Sequence, residues 1–143
     1  MMSLKINPLP GVLAGILLAS SVPASAEEEP VASAAVQQEF DAFLTRFRAA
    51  LAADDATAVA GMTQFPFMPY LDEGGSSDAA AFRAESYPRF LAAKARRCLA
   101  RRNAIHDREP DGGETFVIFC GDLGYYFHKT QDGFRFTEVG PND

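Results

Sequence analysis

The 143-residue sequence predicts an α+β domain whose N-terminal helices pack on one face of an antiparallel sheet. Three observations carry that expectation. Apolar residues recur at helical spacing between Val36 and Leu51, and beyond Asn103 the apolar period shortens to two. Glycine-bearing turns, Asp111-Gly112-Gly113 and Gln131-Asp132-Gly133, then separate the alternating runs. Helices first and a meander of strands after is the order of a domain with segregated layers.

Ahead of the domain, Lys5 precedes an apolar run and Ala24-Ser25-Ala26 stands just before Glu27-Glu28-Glu29. That pattern reads as an export signal cleaved between Ala26 and Glu27. Its apolar part covers about Val12 to Val22, short of the ~20 apolar residues that cross a bilayer, so no stable membrane insertion is expected after processing. No cysteine lies near Ala26 to carry a lipid. The expected organisation is a signal peptide at 1–26, a flexible acidic tail at 27–35 and a single domain at 36–143, located in the periplasm or secreted.

Within the domain, Val36, Phe40, Phe43, Leu44, Phe47 and Leu51 form one stripe, so a long helix over residues 33–53 has a face to bury. Asp54-Asp55 stops that helix and offers an N-cap for a short one over residues 56–63, with Val59 and Met62 toward the core. In Phe65-Pro66-Phe67-Met68-Pro69-Tyr70 the two prolines remove donors and fix φ, forcing an edge strand or extended loop. Residues 72–77 read as a polar loop. Asp78 can cap a turn running to Phe82, and Ser86 can cap a further helix with Pro88 in its first turn. Phe90, Leu91, Ala95, Cys98 and Leu99 make the buried side of that helix. Strands are expected over residues 103–109, 115–120, 124–129 and 134–139.

The formal net charge is −6, and every acidic residue falls after residue 26 while Lys5 falls before it, so the processed chain is more acidic still. Such a domain binds nucleic acid and anionic membranes poorly. Cys98 and Cys120 are its two cysteines. An even count in an exported domain suggests a disulfide, worth about 3 kcal/mol for a closed segment of roughly 23 residues. Two buried thiols or a metal pair are the alternatives, though neither His106 nor His128 stands at a spacing that completes a zinc site.

The long first helix, the Asp54-Asp55 break, the Phe65-Pro66-Phe67 element and a meander ending in Tyr126-Phe127-His128-Lys129, Gln131-Asp132-Gly133 and Phe134-Arg135-Phe136 resemble the NTF2-like superfamily, over about residues 36–139. The likeness is to small exported members of unassigned function. It implies a curved sheet wrapped around the long helix, a cone whose mouth can hold a small apolar ligand. Members often carry a tryptophan in the last strand after the Asp-Gly turn; here Phe134 and Phe136 stand there and no tryptophan occurs. The fold does not choose among isomerases, dehydratases, carriers and dimerisation modules.

Isomerase-like members of the superfamily place a carboxylate base and a phenol or protonated acid in an apolar cone. The groups available for that are Tyr125, Tyr126, His128, Tyr70, Asp72 and Glu138. Strand alternation puts Tyr126 and His128 on one face and Tyr125 and Phe127 on the other. Tyr126 and His128 are therefore the candidate catalytic pair, and Phe67, Tyr70, Tyr126 and His128 the candidate ligand-binding set. The plainer reading, ordinary strand residues with polar tips at the rim, is preferred. Arg89, Lys94, Arg96, Arg97, Arg101 and Arg102 concentrate positive charge, and Arg97 and Arg101 are the candidate contacts to an acidic partner. Here too the plainer reading, a solvated helix face, is preferred. Asp107, Glu109, Asp111 and Gly112 imitate a calcium loop whose twelfth position is Ile118 rather than Glu, so a hairpin turn is the better account. His106 reads as a surface strand residue. No G-x-S-x-G, H-E-x-x-H, C-x-x-C or phosphate-binding loop occurs.

The reading that follows is an exported, non-catalytic domain binding a small apolar molecule or a protein, as a homodimer through its open sheet face, with no cofactor or metal. The twelve phenylalanines motivate it, since they exceed what a small core needs unless a pocket or interface is lined too. A small isomerase or lyase working in the cone, and an accessory subunit of an envelope assembly docking through the arginine-rich helix, are the alternatives. The absence of any N-x-[ST] sequon, with the family resemblance, favours the periplasm.

Overall fold

The structure, a computed structural model, describes residues 11, 15, 32–70 and 73–142. Apart from residues 11 and 15, the export signal lies outside the described residues, as do its cleavage site and residues 27–31 of the acidic tail. Helix α1 spans Ala34–Ala52, and the Ser33 side chain caps it by accepting from the Val36 amide at 3.2 Å. The stripe read from the sequence is its buried face, with Phe40, Phe43, Leu44, Phe47 and Leu51 all inside. Asp54 ends the helix at a positive φ of 50°, and the Asp55 side chain caps α2, Ala56–Gly61, by accepting from the Ala58 amide at 3.0 Å.

The proline segment is extended, as its chemistry requires. Thr63 bridges Phe136 in parallel, and the Tyr70 amide donates to the Val139 carbonyl at 2.9 Å, so the segment edges the last strand. Asp78 caps the next turn, α3, Ala79–Ala81, by accepting from the Ala81 amide at 2.9 Å.

Beyond α3 the structure departs from the sequence reading in two places. Helix α4, Tyr87–Phe90, does begin after Ser86 with Pro88 in its first turn, but the Ser86 side chain does not cap it, and the chain enters it from a π-helical stretch, Phe82–Ser86. Pro88 explains the wide turn: it has no amide to donate and its ring would strike the Ala84 carbonyl in α geometry. The Tyr87 amide accordingly reaches back to the Phe82 carbonyl. The Ser86 hydroxyl is buried and bonds the Gly74 carbonyl and the Ser76 hydroxyl, tying the glycine loop down. The second departure is a break at Leu91 and Ala92 before α5, Ala93–Arg101. Leu91 is fully buried there, and Arg96 covers the freed Leu91 carbonyl with a 2.9 Å hydrogen bond.

The sheet is a meander of β1 (Ile105–Arg108), β2 (Glu114–Cys120), β3 (Leu123–Thr130) and β4 (Gly133–Pro141), each antiparallel to the next. A bulge between Tyr126 and Phe127 shifts the β3–β4 register. Gly133, at φ 94°, makes the turn into β4 that a residue with a Cβ would strain. Architecture and class are those expected: α+β, with helices on one face of an unclosed antiparallel sheet.

One sheet face carries Phe116, Ile118, Tyr125, Phe127, Phe134, Phe136 and Val139 into the core against α1. The Phe40 and Phe116 rings lie parallel with centroids 3.8 Å apart, and Phe127 meets Phe47 edge-on at 5.1 Å. Such pairs contribute about 0.5–1.5 kcal/mol each beyond area burial. Of the twelve phenylalanines only Phe65 and Phe119 are not fully buried, so the other ten rings fill the interior. A disulfide joins Cys98 on α5 to Cys120 on β2, Cα to Cα 5.9 Å, and fastens the last helix to the sheet. Among the described residues no helix is long and apolar enough to cross a membrane.

Candidate functional site

Alternation along β3 decides where the candidate residues go. Tyr125 and Phe127 point into the core, which places Tyr126 and His128 on the opposite face of the sheet, both half-buried. The Tyr126 ring lies over Gly124 and Gly140, which are cross-strand partners. A Cβ on Gly124 would come within 3.0 Å of Tyr126 Cε2, so the glycine there makes room for the ring. His128 Nδ1 bonds the Thr137 hydroxyl, and its Nε2 stands 3.5 Å from Glu109 Oε1. The Thr115 hydroxyl donates to that same carboxylate oxygen at 3.2 Å.

With Tyr70, Glu138 and Pro141 these residues surround a shallow depression of about 340 Å³. Tyr70, Tyr126 and His128 therefore do come together, and Glu138 with them, but on the side turned away from α1. Tyr70 is 76 % exposed, and the depression is polar and open, unlike the enclosed apolar site in which a phenol and a base have their acidities tuned. Phe67 does not belong to it. Fully buried, its ring packs 5.1 Å from Phe136 and 5.4 Å from Phe82. Asp72 lies outside the described residues.

A second concavity, of about 560 Å³, opens between α5 and the β2–β3 turn. Phe90, Ala95, Leu123, Tyr125 and the Cys98–Cys120 bridge give it apolar walls; the exposed Arg89, Lys94, Arg102 and Asp122 complete the lining. The amphipathic spacing of α5 produces this division, with Ala95, Cys98 and Leu99 toward the sheet and the cations outward. At the base, the Tyr125 hydroxyl donates to the Phe90 carbonyl at 2.6 Å. Burial pushes the Tyr125 pKa up to about 12, so the phenol stays a neutral donor.

Sequence reasoning did not find this groove, although its parts were on view in the α5 stripe and the cysteine pair. It also missed Arg48, an α1 residue that reaches the far end of α5. Its Nε donates to the Leu99 carbonyl at 2.9 Å and its guanidinium also holds the Arg102 carbonyl, satisfying the helix C-terminus. Burial lowers the Arg48 pKa from its ordinary value. Arg96 is anchored by Asp54 at 3.1 Å, and Tyr87 donates to the same carboxylate at 2.8 Å. Arg97 and Arg101 are exposed on α5, and Arg97 stands beside Leu51 and Ala100 in a separate shallow dip.

His106 is not the open surface residue the sequence suggests. Its side chain is 8 % exposed, its ring lies 5.0 Å from Phe116, and its Nε2 pairs with Glu114. The His106 hydrogen bond, aided by Arg108, holds the Glu114 carboxyl below the usual range. In the acidic turn, Asp111 accepts from the Gly113 amide at 2.9 Å while Glu109 turns away toward Thr115 and His128. The turn is a hairpin, and among the described residues no three His, Cys, Asp or Glu side chains are grouped to hold a metal ion.

Compared with protein-family models and with curated proteins, the chain matches none.

Proposed function

We propose that the protein is an exported, non-catalytic binding domain of NTF2-like type, and that its ligand is a small apolar molecule seated in the groove between α5 and the β2–β3 turn. The observation that carries this reading is the groove itself. Apolar side chains from α4, α5 and β3 converge there on a concavity of about 560 Å³, within the ~300–1,000 Å³ usual for small-molecule sites. The packed phenyl interior supports placing the ligand there rather than deeper, between α1 and the sheet. The Cys98–Cys120 bridge is in keeping with export to an oxidising compartment, by cleavage after Ala26 into the periplasm. The helix-then-meander architecture supports the NTF2-like assignment.

The test is to recover the protein after export from its own cell envelope and compare its native mass with that of a Leu123→Gln variant. A retained molecule on the first and none on the second supports the reading. Ligand-free protein in both, with the fold intact, counts against it.

A second reading, a homodimer through the open sheet face, is favoured by apolar groups on that side. Ile105 is 55 % exposed and faces outward beside its register partner Val117, and Met68 is exposed in the extended segment along β4. Sedimentation of the purified protein at rising concentration separates the two readings. Tyr126 and His128 stand where water reaches them, which gives an isomerase or lyase no enclosed phenol and base to work with. The exposed Arg97 and Arg101 leave an envelope-subunit role to direct partner capture.

A further inference from the structure

The cations around the groove bear on the class of its ligand. Arg89 already shares its charge with Glu73 at 3.3 Å, and its guanidinium sits over the Phe90 ring at 5.6 Å. Lys94 and Arg102 have no acidic partner among the described residues. Both are exposed; Arg46, Arg83, Arg97 and Arg101 are likewise exposed without an acidic partner among the described residues, but of these six it is Lys94 and Arg102 that line the groove. Against them the groove lining contributes one carboxylate, Asp122. A neutral apolar ligand would gain from the Ala95, Leu123 and disulfide surface but would leave these two cations unused.

We infer that the ligand is an amphiphilic anion, a medium-chain carboxylate whose hydrocarbon part lies along Ala95, Leu123 and the disulfide, above the buried Phe90 and Tyr125 rings, and whose head meets the cationic rim that carries Lys94 and Arg102. This rests on the proposed ligand-binding role of the groove and adds a charge and an orientation to it. The chain supplies most of the affinity, about fourfold per buried methylene. The head supplies selection. Because both cations are solvated, their preference for an anion is modest and sensitive to salt.

The experiment is calorimetric titration of the exported protein with decanoate, decanol and decylammonium at low and high salt. Decanoate binding several-fold tighter than decanol, with decylammonium weakest and the spread shrinking at high salt, is the expected result. In the paired variant Lys94→Glu, Arg102→Glu the order should reverse toward decylammonium while the thermal midpoint stays near that of the parent. Leu123→Gln, which removes apolar surface and adds no charge, should weaken all three. Decanoate and decanol binding alike overturns the anionic assignment while leaving the apolar groove standing; decanoate binding that survives Leu123→Gln overturns it by locating the ligand elsewhere. No binding by any probe removes the groove reading and this inference with it.

Discussion

The Tyr125 hydroxyl donates to the Phe90 carbonyl at 2.6 Å, joining the middle layer of β3 to the last turn of α4. That bond satisfies a carbonyl at a helix end and forms the base of the groove, so one contact serves both fold and site. Tyr125→Phe keeps the ring but strands a buried acceptor, at about 1–3 kcal/mol. The expected outcome is a thermal midpoint lower by roughly 4–8 °C for each kcal/mol lost, measured by circular dichroism. An unchanged midpoint would show that water replaces the phenol there.

The same phenol fixes an alkaline limit. The Tyr125 pKa is pushed up to about 12 by burial, and that of Tyr87 to about 12 by burial first and its bond to Asp54 second. An unfolded tyrosine ionises near pH ~10, so the unfolded state loses protons first. Stability is fully present below pH ~10 and is lost as pH rises through about 12. Urea midpoints followed across that window should fall, less steeply in Tyr125→Phe.

On the acid side the sign is opposite. The Glu114 carboxyl is held low chiefly by the His106 hydrogen bond, then by Arg108. Its contribution is present above the unfolded carboxyl value of ~4.3 and is lost as pH falls through the lower folded value. Glu114→Gln should flatten the stability profile below pH ~4.3 and loosen β1, the strand that His106 pins. Profiles that superimpose for parent and variant would contradict the assignment.

Arg48→Met should cost about 1–3 kcal/mol, because the Leu99 and Arg102 carbonyls lose their shared donor. The damage should be local. Hydrogen exchange is expected to quicken in α5 while β2, β3 and β4 stay protected, whereas uniform acceleration would mean that Arg48 acts through the whole core.

Much of this fold was legible because its signals are local. The Phe40, Phe43, Phe47 stripe, the Asp55 and Asp78 caps and the two-residue alternation from Thr115 to Val139 each depend on neighbours in sequence. The π-helical stretch was not, since the Pro88 signal reads equally as a helix start; nor was the Leu91 break, which depends on where a fully buried leucine must go. His106 was misplaced because its shelter comes from Phe116 and Glu114 across a hairpin. For the site, alternation correctly paired Tyr126 with His128 but could not say which sheet face the helices would cover. The groove needed α5, β3 and the disulfide brought together, with Arg48 reaching over from α1, and none of that is written in spacing alone.

Whether the groove beside the disulfide carries a ligand is read from the native mass spectrum of the exported protein, recorded with and without reductant. The expected result is a retained small molecule that is released when the Cys98–Cys120 bridge is reduced. A bare polypeptide mass in both spectra, from protein that is folded and oxidised, would contradict it.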